Sequence, residues 1–220
     1  MTPRFQAVLF DVDGTLVDSR EFVLGAMEHA LRTHQLPVPA RVALAATIGP
    51  PLEECYRKFV PDADLRALCE AHRAWQRERL KLVVPFPHTL ATLETLRSFH
   101  VRLAAVTSRS RVSSLGSLDG AGLSGLLEVT ISAEDAPRTK PDPDPLLLAL
   151  ERLGVNAAEA VMIGDTLADI QAGKAAGMKT IAALYGFAGP SLQSAPADYF
   201  IRDIAEVVPL VMPRWRDELL

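Results

Sequence analysis

The chain is poor in the features that mark several large classes of protein. Only two cysteines, Cys55 and Cys69, occur in 220 residues, too few for a secreted disulfide scaffold. Both fall in stretches with helical spacing, where a buried bystander thiol is the expectation. No apolar run approaches the ~18 residues that a membrane helix needs, and there is neither an internal repeat nor a low-complexity tract. The start MTPRFQAVLFDVDG runs directly into a strand-like segment, without the charged leader, apolar stretch and cleavage site of an export signal. A cytoplasmic protein that does not engage a membrane is expected. Nor is there a basic excess: 23 Lys and Arg stand against 27 Asp and Glu for a net charge of −4, and the cations are scattered rather than blocked. That distribution leaves no footprint for a polyphosphate backbone and excludes nucleic acid as the expected partner. What is present is apolar content, 49% of the chain, enough for a substantial core.

Five short apolar runs have strand length: Phe5 to Phe10, Val101 to Val106, Leu126 to Ile131, Ala158 to Ile163 and Thr180 to Leu184. They are near-continuous rather than alternating, as strands covered on both faces are. Helical patterns separate the later ones, at His88 to Phe99, Val112 to Gly120, Pro143 to Leu153 and Leu167 to Ala176. Gly154 and Gly177 follow two of these where a helix stop belongs. The fold class is therefore α/β, with a doubly wound parallel sheet. The stretch from Ser19 to Val84 shows no strand signal. Leu24, Met27, Ala30 and Leu31 recur at helical spacing, as do Leu65, Leu68, Cys69 and His72, and Pro37, Pro39, Pro50 and Pro51 punctuate the segment. It is far longer than a sheet connection requires, so a helical subdomain above the sheet is expected.

Four short motifs carry the candidate chemistry. Asp11-Val12-Asp13-Gly14-Thr15 begins where the first strand ends, so alternation brings Asp11 and Asp13 out on the same side. Carboxylates this close repel unless a cation compensates or one keeps a proton, and both arrangements serve metal or acid/base chemistry; an Asx turn would use the same residues. Gly164-Asp165-Thr166-Leu167-Ala168-Asp169 follows another strand and opens a helix, placing Asp165 and Asp169 one turn apart. Asp165 could cap that helix and Asp169 could complement its positive end. In an open parallel sheet, however, the carboxyl ends of the strands share one ligand-binding rim. Four acids there would call for a divalent cation, and oxygen-only ligation favours Mg²⁺. Thr107 and Ser108 end the second strand run with hydroxyls and amides suited to phosphate oxygens. Lys140-Pro141-Asp142-Pro143 sets a cation in a rigid bend before a helix.

In order and character these motifs resemble the haloacid dehalogenase-like phosphohydrolase superfamily, with DVDGT, VTS, the Lys of KPDP and GDTLAD as its four motifs; the likeness covers nearly the whole chain. DGTLVDS, IGPPLEE, PFPHTLATLETLR and IGDTLADIQAGKAAGM are closest to phosphoglycolate phosphatase-like members with a helical cap. The resemblance implies a Rossmann-like α/β core at 1–16 and 85–220 and a cap at 17–84. It also implies a phosphatase acting on a small phosphorylated metabolite, with Asp11 as nucleophile and Asp13 as acid and then base. Mg²⁺ would be held by Asp11, the Asp13 carbonyl and Asp165, with Asp169 nearby, and phosphate by Thr107, Ser108 and Lys140. Dehalogenating members lack the second Asp of the first motif, which Asp13 supplies here. Mutases of the β-phosphoglucomutase type carry a His where this chain has Val23. A phosphomutase, made less expected by that Val23, a nucleotidase, a pyrophosphatase and an idle binding protein are the alternatives, the last opposed by intact Asp11, Asp13, Lys140 and Asp165. Cap residues Arg20, Arg57, His72 and Arg73 are expected to read the part of the substrate beyond the phosphate.

Overall fold

The computed structural model describes residues 2–213. In chain order its elements are β1 (Ala7–Phe10), β2 (Val17–Asp18), α1 (Arg20–Thr33), α2 (Arg41–Ala45), α3 (Leu52–Arg57), α4 (Leu65–Arg77), β3 (Val84–Pro85), α5 (Thr89–Ser98), β4 (Arg102–Val106), α6 (Arg111–Gly120), β5 (Val129–Ile131), α7 (Asp144–Leu153), β6 (Ala160–Gly164), α8 (Leu167–Ala175), β7 (Lys179–Ala183), β8 (Tyr199–Ile201) and α9 (Val207–Val211). Six strands form a parallel sheet in the order β5-β4-β1-β6-β7-β8. From β1 the chain steps outward to β4 and β5, then crosses back to β6 on the other flank of β1. This reversal opens a crevice at the carboxyl ends of β1, β4 and β6, where a Rossmann-like sheet receives ligands.

The unbroken apolar runs have a direct structural cause. Successive side chains of a strand point to opposite faces, so β1 feeds two cores at once. Val8 and Phe10 pack with Leu93 and Leu96 of α5 and Val207 of α9, while Ala7 and Leu9 pack with Leu146 and Leu150 of α7 and Ala172 of α8. All four β1 residues are buried. Gly154 and Gly177 adopt φ of +66° and +78°, the left-handed conformation a helix stop uses.

Helices α1 to α4 carry a separate cluster. Leu24, Met27, Ala30 and Leu31 of α1 pack with Leu68 and Cys69 of α4, and Leu44, Cys55 and Tyr56 belong to the same cluster. Both cysteines are buried and free. The chain leaves the sheet region through β2 and returns through β3, and these two pair antiparallel, Val17 with Pro85 and Asp18 with Val84. Val84 is thus in a strand where the sequence pattern shows none, because two residues are too few to display a period. Strand β8 was likewise invisible: three residues at a sheet edge, with Phe200 left 41% exposed. Conversely, the apolar runs overshoot the ladders. Phe5 and Val101 are buried without belonging to a strand, and Leu126 lies in a 3₁₀ turn, because core packing extends beyond strand pairing. Among the described residues no helix is long and apolar enough to cross a membrane.

Candidate active site

Asp11 is the first residue beyond β1, and its amide still donates to Ile163 O of β6 at 2.8 Å. The chain then turns tightly, with the Leu16 and Val17 amides both donating to Val12 O at 3.0 Å. Gly14 takes φ +86° inside this turn, and a Cβ there would run into the Asp165 carboxylate and the Phe187 ring. Glycine is required on both counts. Gly186 is equally confined, since a Cβ would strike Asp165 and the Gly14 carbonyl.

Lys140 arrives from the loop before α7, buried at 4% exposure. Its ammonium donates to Asp11 Oδ1 at 2.5 Å and Val106 O at 2.9 Å, and Asp169 Oδ1 lies 2.6 Å away. Asp165 and Asp169 come from the β6–α8 junction and are 0% and 1% exposed. Asp165 accepts from the Phe187 amide at 2.5 Å and from Thr15 Oγ1 at 3.5 Å. The cap of α8 is Thr166, not Asp165, and Asp169 closes the capping box: its Oδ2 accepts from the Thr166 amide at 3.0 Å and hydroxyl at 2.6 Å. The local and functional readings of Asp169 therefore coexist, one oxygen serving the helix end and the other facing Lys140.

Carboxylate oxygens of Asp11, Asp165 and Asp169 all lie within 4.8 Å of one another. Burial pushes the Asp11 carboxyl up to about 7, against the pull of Lys140 and with a further push from Asp169. Burial also drives Asp165 well above the usual carboxylate range, helped by Asp11 and Asp169. For Lys140 burial works against the ammonium, but Asp11 and Asp169 outweigh it and its pKa lies above the ordinary value. One ammonium among three buried carboxylates leaves the cluster short of positive charge. A hard divalent cation with oxygen ligands fits both the deficit and the donor set.

Asp13 stands outside this triad. Its Oδ1 accepts from Ser19 Oγ at 2.5 Å and from Arg109 Nη1 at 2.9 Å. Thr107 Oγ1 accepts from the Arg109 amide at 3.2 Å, which leaves the Thr107 hydroxyl proton available. Ser108 Oγ is buried without a partner among the described residues. A buried hydroxyl without a partner is costly unless something binds there. Asp11, Asp13, Thr107, Ser108, Lys140 and Asp169 share one cavity of about 330 Å³, whose opposite wall is Val23, Met27, Leu52, Cys55, His72 and Gln76 from the helical layer. Asp165, fully buried, does not line it.

The cap cations divide. Arg73 lines the cavity, is exposed, and makes no ion pair or hydrogen bond with a described residue. His72 also lines it but is 3% exposed. Burial, then the charges of Arg109 and Arg73, pushes its pKa down to about 3, so at neutral pH it is an uncharged partner of Tyr56 OH, 3.0 Å from Nδ1. Arg57 is exposed and Arg20 points elsewhere, donating to Gly186 O at 3.2 Å with its guanidinium 5.3 Å from the Phe187 ring centroid. Neither lines the cavity. Polar residues unforeseen from sequence also line it, among them buried Gln76 and partly buried Arg109. The position of Arg109 directly after Thr107-Ser108 was the available signal; Gln76, on a helix of many polar residues, had none.

Residues 8–183 match the model of a family described as haloacid dehalogenase-like hydrolase. The pyrophosphatase PpaX of Bacillus velezensis is 32% identical over 208 residues, covering 93% of this chain and 95% of that one. A phosphoglycolate phosphatase of Aquifex aeolicus is 32% identical over 207 residues, covering 94% and 96%. A haloacid dehalogenase-like family hydrolase of Streptococcus pneumoniae superposes with a TM-score of 0.85 at 22% identity, covering 94% and 98%, and shares the fold.

Proposed function

The chain belongs to the haloacid dehalogenase-like hydrolase family, and from that premise we propose that it is a Mg²⁺-dependent phosphatase that hydrolyses a small phosphorylated metabolite through an aspartyl-phosphate on Asp11. The observation that carries this reading is the buried Asp11–Lys140 contact at 2.5 Å, set among carboxylates that one ammonium does not balance. Lys140 fixes Asp11 Oδ1, which leaves Oδ2 as the oxygen to attack phosphorus in line. The Thr107 hydroxyl, Ser108 and Lys140 surround the transferring phosphoryl oxygens and supply the positioning and charge that dominate phosphoryl transfer. Asp13 gives a proton to the leaving oxygen as the phosphorus–oxygen bond breaks, then takes one from the water that attacks the aspartyl-phosphate.

Asp11, Asp165 and the Asp13 carbonyl would hold Mg²⁺, with Asp169 beside them. The ion, when bound, neutralises charge so that an anionic nucleophile meets an anionic substrate. Residues 17–84 act as a cap whose hinge is the β2–β3 pair, and it keeps bulk water from the phosphorylated Asp11. The relatives named pyrophosphatase and phosphoglycolate phosphatase define two leaving groups to test, inorganic phosphate and glycolate, each with an anion that Arg73 at the cavity wall would meet. The experiment is a panel of phosphorylated metabolites, including pyrophosphate, phosphoglycolate and nucleotides, assayed with Mg²⁺ and with excess chelator. Turnover of phosphomonoesters or pyrophosphate that chelator abolishes supports the reading. No hydrolysis of any member, aryl phosphates included, would mean an idle binding protein.

A further inference from the structure

Arg109 is given no part by the mechanism above, yet its side chain is held on several sides at the cavity wall. It is 15% exposed. Nη2 donates to Ser113 O at 3.2 Å, to Ser113 Oγ and to Ser117 Oγ at 3.0 Å, so the first turns of α6 fix the guanidinium. Its Cζ lies 5.1 Å from the ring centroid of Phe22 on α1, within cation–π range. Nη1 is thereby aimed at Asp13 Oδ1, 2.9 Å away. With both terminal nitrogens committed, this side chain is unsuited to reading a substrate anion. A guanidinium is a rigid planar fork, so fixing one arm fixes the direction of the other.

At Asp13 both donors, Ser19 Oγ and Arg109 Nη1, converge on Oδ1, and Oδ2 accepts no hydrogen bond from a described residue. We infer that Arg109 is a positioning residue for proton transfer: it clamps one oxygen of Asp13 so that the other is presented to the leaving oxygen of the substrate. This rests on the proposed role of Asp13. The proton on Oδ2 passes to the ester oxygen while its bond to phosphorus breaks and the bond from phosphorus to Asp11 forms, leaving Asp13 as a carboxylate. Transfer needs a donor–acceptor approach of about 2.6–3.2 Å. Held by Ser19 alone, at the start of α1, the carboxyl would turn about its own bond and lose that approach.

Leaving-group chemistry isolates the effect. Phenyl phosphate and 2,4-dinitrophenyl phosphate are both aryl monoesters, but phenolate leaves poorly without a proton and dinitrophenolate leaves without one. With the full chain and saturating Mg²⁺, Arg109→Met should lower kcat/KM for phenyl phosphate, which reports departure of the aryloxide and not the later attack of water, about 30-fold, a part of the roughly 10²–10⁴-fold that acid catalysis supplies. Its kcat/KM for dinitrophenyl phosphate should change less than about threefold, since that leaving group needs no proton. Arg109→Lys, which can still donate to Oδ1, should recover most of the loss. In an Asp13→Asn background Arg109→Met should add nothing, because the group it acts through is gone. Arg109→Gln, which keeps a donor for Ser117, serves the same purpose should the Met variant melt early. Equal losses on both esters, or additive losses in the double variant, would overturn the inference. Equal losses on both esters for Asp13→Asn alone would instead overturn the proton-donor role of Asp13 itself.

Discussion

The two walls of the cavity hold their charges differently. At the sheet rim Asp11, Lys140, Asp165 and Asp169 are each under a tenth exposed and bound to partners at 2.5–3.0 Å. On the facing helices the wall is largely apolar, His72 is neutral, and the cation Arg73 stands exposed without a partner among the described residues. Buried charges are tolerated only when paired, so the rim is committed to one geometry and one chemistry. An exposed, unpaired side chain can be exchanged without unfolding anything. That asymmetry suits a family whose relatives here bear the names of pyrophosphatases and phosphoglycolate phosphatases: the proposed function assigns conversion to the rim and recognition to the helices.

The comparison breaks most sharply at Asp11. Asp11→Asn should lower turnover at least about 10³-fold while the protein stays folded, since an amide fits the site but cannot be this nucleophile. Single-turnover assays and a thermal melt check both halves; residual activity of more than a few per cent would remove the covalent mechanism. Next is Gly186→Ala, at a residue that does not line the cavity. Its Cβ would displace Asp165, and metal affinity measured by calorimetry should fall about 10–100-fold, as when a ligand loses its outer support. An unchanged affinity would show that Asp165 is not a ligand.

The two walls should also respond oppositely to pH in metal-free protein. Between the usual 3.8 and about 7, folded Asp11 keeps a proton that the unfolded chain has released, so its contribution to stability falls as pH rises through that window. Between about 3 and the usual 6.5, the unfolded chain protonates His72 while the folded one does not, so its contribution rises with pH. Tm in chelator at about pH 5 and pH 7 separates them. Compared with wild type, Asp11→Asn should lose more Tm on acidification and His72→Gln less, each by several degrees at about 2–4 °C per kcal/mol. Identical pH slopes in all three would refute the assignment. The smallest effect is expected at Arg73. An exposed charge pair is worth about 0.2–1 kcal/mol, so Arg73→Ala should raise KM by no more than about fivefold for a substrate with a second anion, and leave aryl phosphates unaffected. Arg57→Ala, off the cavity, should change neither, and a matching effect there would assign recognition to general charge rather than to Arg73.

Local rules were sufficient for most of the architecture. Apolar runs of strand length, helical spacing between them and glycine at helix stops depend on neighbours a few residues away, so the parallel core, the helical excursion and the rim position of Asp11, Thr107 and Asp165 could be read from the chain itself, whereas Lys140 entered the site only through the family resemblance. Elements too short to show a period, β2, β3 and β8, could not. What only the tertiary structure decided is which polar groups meet. Lys140 reaches Asp11 across 129 residues and Arg109 reaches Asp13 across 96, and no periodicity reports such encounters. The same holds for the four cap cations: helical spacing places Arg20, Arg57, His72 and Arg73 on helices, but only packing turns Arg20 toward Gly186, buries His72 as a neutral ring and leaves Arg73 facing the cavity. The charge a side chain carries, and what it carries it toward, depends on desolvation and on partners brought from elsewhere in the chain.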